Sequence, residues 1–130
     1  MTDYIFIPGN VPSLKNSKQI FVNRQTGKRF ITSSDSVKDY IKATSMFYQS
    51  AQKQFIELTK HLKTPLNIEF QFVRKTKTRF DFINMAQIVC DMMVKYNWIE
   101  DDSYIFLNPC FNSEVLFDKI NSGVYVRVKA

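Results

Sequence analysis

Apolar residues between positions 37 and 72 change their spacing once, from three-and-four to two, and Pro65 stands where the change occurs. Val37, Tyr40, Ile41, Thr44, Phe47, Tyr48, Ala51, Phe55, Leu58 and Leu62 line one face of a long helix. Lys38, Lys42, Lys53 and Lys60 fall mostly off that face, as the solvated side of a core-packed helix does. Ser33 or Ser34 can cap it, Asp35 suits its first turn, and Pro65 ends it. His61 reads as a capping or solvent residue near its C-terminus. Leu66, Ile68, Phe70 and Phe72 then alternate with Asn67, Glu69 and Gln71, a strand with one buried face.

A second helix follows. Phe82, Met85, Val89, Met92, Met93 and Tyr96 form its apolar stripe, with Asn84, Gln87, Asp91 and Lys95 opposite. Asn97 suits the left-handed conformation that stops a helix. Residues 3–7 read as a first strand stopped by Pro8-Gly9. Ile20-Phe21-Val22 and Arg29-Phe30-Ile31 read as a hairpin around residues 23–28, either an ordinary charged turn or a basic finger. Tyr104–Leu107 reads as a strand ended by Asn108-Pro109, Val115–Phe117 as a short strand or connection, and Val124–Val128 as the closing strand after the turn at 121–123. The expected fold is α/β: one small domain spanning 1–130, with a mixed sheet and two main helices. At 130 residues such a domain buries about two-thirds of the surface its unfolded chain exposes.

Charge narrows the function. Eighteen Lys and Arg against 12 Asp and Glu leave a net charge of +6, which suits a polyanionic partner such as nucleic acid. Cys90 and Cys110 lack C-x-x-C spacing and His61 is the one histidine, so reduced thiols are expected and a zinc site is not. No stretch approaches the ~20 apolar residues of a membrane span, and the N-terminus lacks a secretory pattern. The chain reads as cytoplasmic.

The charge is also unevenly placed. Residues 1–79 carry 14 cations and five acids, whereas 80–130 carry four and seven. Five of the acids, Asp81, Asp91, Glu100, Asp101 and Asp102, flank or lie on the second helix. Directly before it, Arg74, Lys75, Lys77 and Arg79 make four cations in six residues, a solvated loop or a phosphate clamp. Lys15 and Lys18 add cations in an early loop. A basic body around a carboxylate cluster is what metal-assisted phosphodiester chemistry requires. Geometry limits the idea. A helix over 82–97 is roughly 24 Å long, and five extended residues return at most about 17 Å. Asp81 and Asp102 can then share an ion only if residues 98–102 double straight back along the helix, or if the acids come from a second subunit. Otherwise Asp81 is a helix cap and the later acids a surface turn.

Arg79-Phe80-Asp81-Phe82-Ile83-Asn84, then Asp91, then Trp98-Ile99-Glu100-Asp101-Asp102 resembles the signature of the RusA-type Holliday-junction resolvases of bacteria and their phages. The resemblance is weaker at Pro12-Ser13, Asn16, Phe117-Asp118-Lys119 and 124–128. It implies a small α/β homodimer, encoded by a phage or prophage, that binds four-way DNA and cuts it with Mg²⁺ or Mn²⁺. It implies that Asp81 and Asp102 are catalytic and ligate the metal, with Asp91 and Asp101 as further acids and Asn84 in support. Lys15, Lys18, Arg74, Lys75, Lys77 and Arg79 are the expected DNA-binding cations. Two positions depart from the pattern: Ile83 stands where the family usually has its second aspartate, and Gln87 where it has a lysine.

Overall fold

The computed structural model describes residues 3–13, 18–22, 29–33 and 35–130. Within them run β1 (Tyr4–Pro8), β2 (Lys18–Val22), β3 (Arg29–Ser33), α1 (Asp35–Thr59), β4 (Leu66–Arg74), α2 (Phe82–Lys95), β5 (Leu107–Phe111), β6 (Leu116–Phe117) and β7 (Gly123–Lys129). This is a small α/β domain with a mixed five-stranded sheet and two helices, as the sequence predicts. The sheet order is β1-β7-β4-β5. β7 pairs antiparallel with both β1 and β4, whereas β5 pairs parallel with β4. β6 pairs parallel with the end of β4 beyond β5, so β5 and β6 form one interrupted edge. β2 and β3 make a separate antiparallel hairpin with Ile20 opposite Ile31. Its connecting residues 23–28, the expected basic finger, lie outside the described residues.

The register sorts the sheet into two faces. Ile5 and Ile7 of β1 stand opposite Val126 and Val124 of β7, which in turn face Phe70 and Phe72 of β4. All six are buried in one cluster with Tyr48 and Phe55 of α1 and Met85, Val89 and Met93 of α2. Both helices therefore cover this face, and burial of its large side chains is the main term holding the domain together. The other face carries Tyr4, Phe6, Glu69, Tyr125 and Arg127, with Arg127 and Glu69 paired at 3.3 Å. Gly9, at φ 119, turns the chain out of β1 and donates its N–H to the Ser122 carbonyl at 2.9 Å.

Three expectations need correction. β4 is not buried on one face alone: Gln71 and Val73, on the other face, are buried as well. Its amide satisfied by the Glu114 carbonyl at 2.9 Å, Gln71 can be polar and buried at once. The strand expected at Tyr104–Leu107 starts three residues later and runs through Pro109. Residues 104–106 are a turn closed by the Phe106 N–H on Ser103 at 3.0 Å, and an edge strand tolerates the N–H that Pro109 lacks. α1 stops at Thr59, ahead of Pro65, and Phe47 is exposed because it lies about 100° round the helix from buried Tyr48.

Candidate functional site

Two local structures set α2 in place. At its start Asp81 occupies the N-cap position with extended backbone, but its side chain makes no capping hydrogen bond. The exposed Asp81 carboxylate instead accepts a long hydrogen bond from the Asn84 amide at 3.4 Å. At the other end Asn97 takes φ 62, as expected of the helix stop. Its N–H reaches the Val94 carbonyl at 3.1 Å and the Trp98 N–H reaches Met93 at 2.8 Å, the paired bonds of a Schellman motif. Trp98 is buried, stacks on Phe55 with ring centres 5.0 Å apart, and donates its indole N–H to the Tyr48 carbonyl at 2.8 Å. Left-handed Asn97 turns the chain, and Trp98 pins the turn to α1.

The acidic turn consequently comes back along α2. Gln87, exposed on that helix, donates from its single amide nitrogen to Asp91 at 2.8 Å and to Asp102 at 3.3 Å. The doubling back that the sequence arithmetic required is present at Gln87. The pair it brings together is different: Asp102 meets Asp91, while Asp81 keeps to Asn84. Asn84 and Gln87 are three residues apart, about 4.5 Å of helix rise. Asp81, Asn84, Gln87 and Asp91 thus make a polar stripe, and Asp102 joins it partway along. Beneath it the Cys90 thiol is pushed up to about 12, first by burial and then by the charges of Asp102 and Asp91. Asp101 is exposed in the same turn and joins no ion pair among the described residues.

No group of three or more His, Cys, Asp or Glu side chains among the described residues is arranged to hold a metal ion. Mg²⁺ asks for less than that. It keeps several waters and commonly binds through one or two carboxylates. Asp91 and Asp102 already converge on one atom, the nitrogen of the exposed Gln87 amide. The donor set at this point of the stripe is two carboxylate side chains, Asp91 and Asp102, about the Gln87 amide.

Cations surround the start of the stripe. Lys75, Lys77 and Arg79 are all exposed on the loop between β4 and α2. The loop is tied down by the Lys75 N–H on the Asn10 side chain at 2.9 Å. Arg79 and Asp81, with Phe80 and Ser13, line an open hollow of about 330 Å³. Arg74 departs from the expected DNA-binding role, being 2% exposed. Its guanidinium donates to the Thr78 carbonyl and lies 4.5 Å from the centre of the Phe80 ring, while its Nε has no partner. It braces the loop from below and is not available to a phosphate. Lys18 opens β2 opposite Ser33, and Lys15 lies outside the described residues.

Sequence reasoning did not assign Gln87 its linking role, because an amide between two acids is visible only once the turn has folded back. It also missed Phe111, which β5 carries against Phe82 with ring centres 5.3 Å apart. No protein-family model matches this chain, and no curated protein matches it.

Proposed function

We propose that this chain is a Mg²⁺-dependent endonuclease of the RusA type that acts on branched DNA, Holliday junctions included, as a homodimer. The observation that carries the reading is the meeting of Asp91 and Asp102 on the Gln87 amide, on the helix that the cationic loop leads into. The family comes from the resemblance across residues 79–102, whose acids need the chain to fold back along α2 if they are to cooperate. Asp102 and Asp91 are the residues that would hold the ion, which when bound activates water and stabilises charge developing on the phosphate, while Asp81 stands apart at the head of α2 with Asn84. Lys75, Lys77 and Arg79 neutralise phosphates and set the position of the strand, a role that needs exposure and charge but no base contact. Gln87 keeps the two carboxylates together. A dimer suits a four-way junction, because two symmetric nicks need two related sites.

A second reading has its own support: branched-DNA binding with weak cutting or none. Ile83 puts a branched alkyl group where the family usually has a carboxylate, and the Gln87 amide competes for Asp91 and Asp102. The test is incubation of a labelled synthetic junction with the protein and each divalent ion, with Asp102→Asn as control. Cleavage lost in Asp102→Asn supports the nuclease. Salt-sensitive binding with the junction left intact supports the second reading. Affinity that does not fall as salt rises rejects both.

A further inference from the structure

We propose that the start of α2 carries a docking shelf for an unpaired nucleobase; this rests on the DNA-binding reading above and names what that site recognises. Ile83, the first outward-facing residue of α2, is 74% exposed. Together with Phe80, Asp81, Phe82, Asn84 and Phe111 it lines an open hollow of about 540 Å³. The rings below are held firmly. Phe82 stacks on Phe111 at an interplanar angle of 26°, and Phe80 meets Phe82 edge-on at 5.1 Å. Phe72 and Phe70, both fully buried in β4, back Phe82 and Phe111. Arg74 backs Phe80. An apolar surface on so rigid a base costs no ordering when a flat ligand covers it.

The polar surroundings select the ligand. Asn84 offers an amide donor and acceptor and Asp81 a carboxylate acceptor at the rim, which suit the amino and carbonyl groups on the edge of a base. Arg79 is exposed on the loop that leads into Phe80, lines a hollow with Phe80 and Asp81, and forms no ion pair among the described residues, while the Lys77 ammonium lies over the Phe117 ring at 5.6 Å. An apolar platform, hydrogen-bonding groups at its rim and an uncompensated cation beside it are the combination that binds single-stranded nucleic acid, with the base stacked and its phosphate on the cation. A fully paired duplex presents no free base face, whereas a branch point or gap does. The shelf therefore gives Ile83, the departure from the family pattern, a role in choosing unpaired over paired DNA.

The test uses the full chain with two probes: a junction carrying 2-aminopurine unpaired at the branch, and a blunt duplex of the same length. Binding is expected to quench the unpaired 2-aminopurine. Ile83→Ser is expected to weaken that probe about tenfold through the lost apolar contact with the base, and Ile83→Trp to strengthen it by adding a ring on which the base can stack. The salt slope is expected to stay unchanged in both variants, because no phosphate contact is altered. Equal losses on both probes, or no fluorescence change on a junction that still binds with a normal salt slope, overturns the shelf and leaves the proposed function standing. Loss of self-association in Ile83→Ser assigns the surface to a second copy of the chain and also overturns it. Failure of every probe to bind defeats both proposals.

Discussion

The indole N–H of Trp98 donates to the main-chain carbonyl of Tyr48 across 2.8 Å, joining the turn after α2 to the middle of α1. The acids of the turn that follows, Asp101 and Asp102, hang from this joint. Replacing Trp98 by Phe keeps the ring and removes the bond, at an expected cost of about 1 kcal/mol, and Trp98→Ala costs about 3–5 kcal/mol. Urea unfolding with an unchanged m-value checks both. Asn97→Gly preserves the turn with little change, whereas Asn97→Val loses at least 1–2 kcal/mol because a β-branched residue resists a left-handed backbone.

Arg74 and Arg79 are close in sequence and opposite in exposure, so their removal separates two effects. Arg79→Ala is expected to weaken DNA binding uniformly and lower the slope of log K against log salt by about one. Arg74→Met leaves that slope unchanged. Titrations at several salt concentrations measure both, and a reduced slope in Arg74→Met places its guanidinium on the DNA after all.

On the proposed function, Ile83→Asp supplies a further acid at the start of α2. Divalent-ion affinity measured by calorimetry is expected to rise about tenfold, equivalent to ~1.4 kcal/mol, and junction cleavage to rise with it. No gain in either quantity removes the account of Ile83 as a missing ligand.

The hydroxyls of Tyr40 and Tyr48 face each other at 2.7 Å inside the core. Burial raises Tyr40 from its ordinary 10.0 to about 12, and burial raises Tyr48 as well. In that interval the unfolded chain loses phenolic protons that the folded chain keeps, so the unfolded state is favoured as pH climbs. The tyrosines' contribution is whole below pH 10.0 and is lost as pH rises towards 12 and beyond. Denaturant melts between pH 9 and 12 are expected to show that decline, and a smaller one in the double variant Tyr40→Phe/Tyr48→Phe.

Cys110 is exposed and Cys90 buried under two carboxylates. Alkylation at pH 8 is expected to label Cys110 alone, as mass spectrometry reads it. Because burial is the larger cause at Cys90, Asp102→Asn leaves that pattern intact.

Local signals carried much of this architecture. Alternation marked β4 and β7, an apolar run stopped by Pro8-Gly9 marked β1, helical spacing marked α1 and α2, and Asn97 announced where α2 stops. What stayed hidden was set by distant neighbours. Arg74 reads as one of four surface cations, and only the sheet and Phe80 around it make it a buried brace. Pro109 reads as the end of a strand until β5 is seen to lie at an edge. Asp81 and Asp102 could be tested for reach by chain length, but which acid Asp102 meets depends on the level at which the turn comes back along α2. That level is set by Trp98 packing between Tyr48 and Phe55.

β4 is hydrogen-bonded along both of its sides, by β7 on one and by β5 and then β6 on the other. The loop that follows it, with Lys75, Lys77 and Arg79, hangs outside that lattice like a tool on a fixed handle. Its exposed side chains can therefore be exchanged without disturbing how the strands interlock, while Arg74 under Thr78 and Phe80 fixes the loop's course. On the proposed function, rewriting a handful of codons there would retarget the scaffold to differently shaped polyanions.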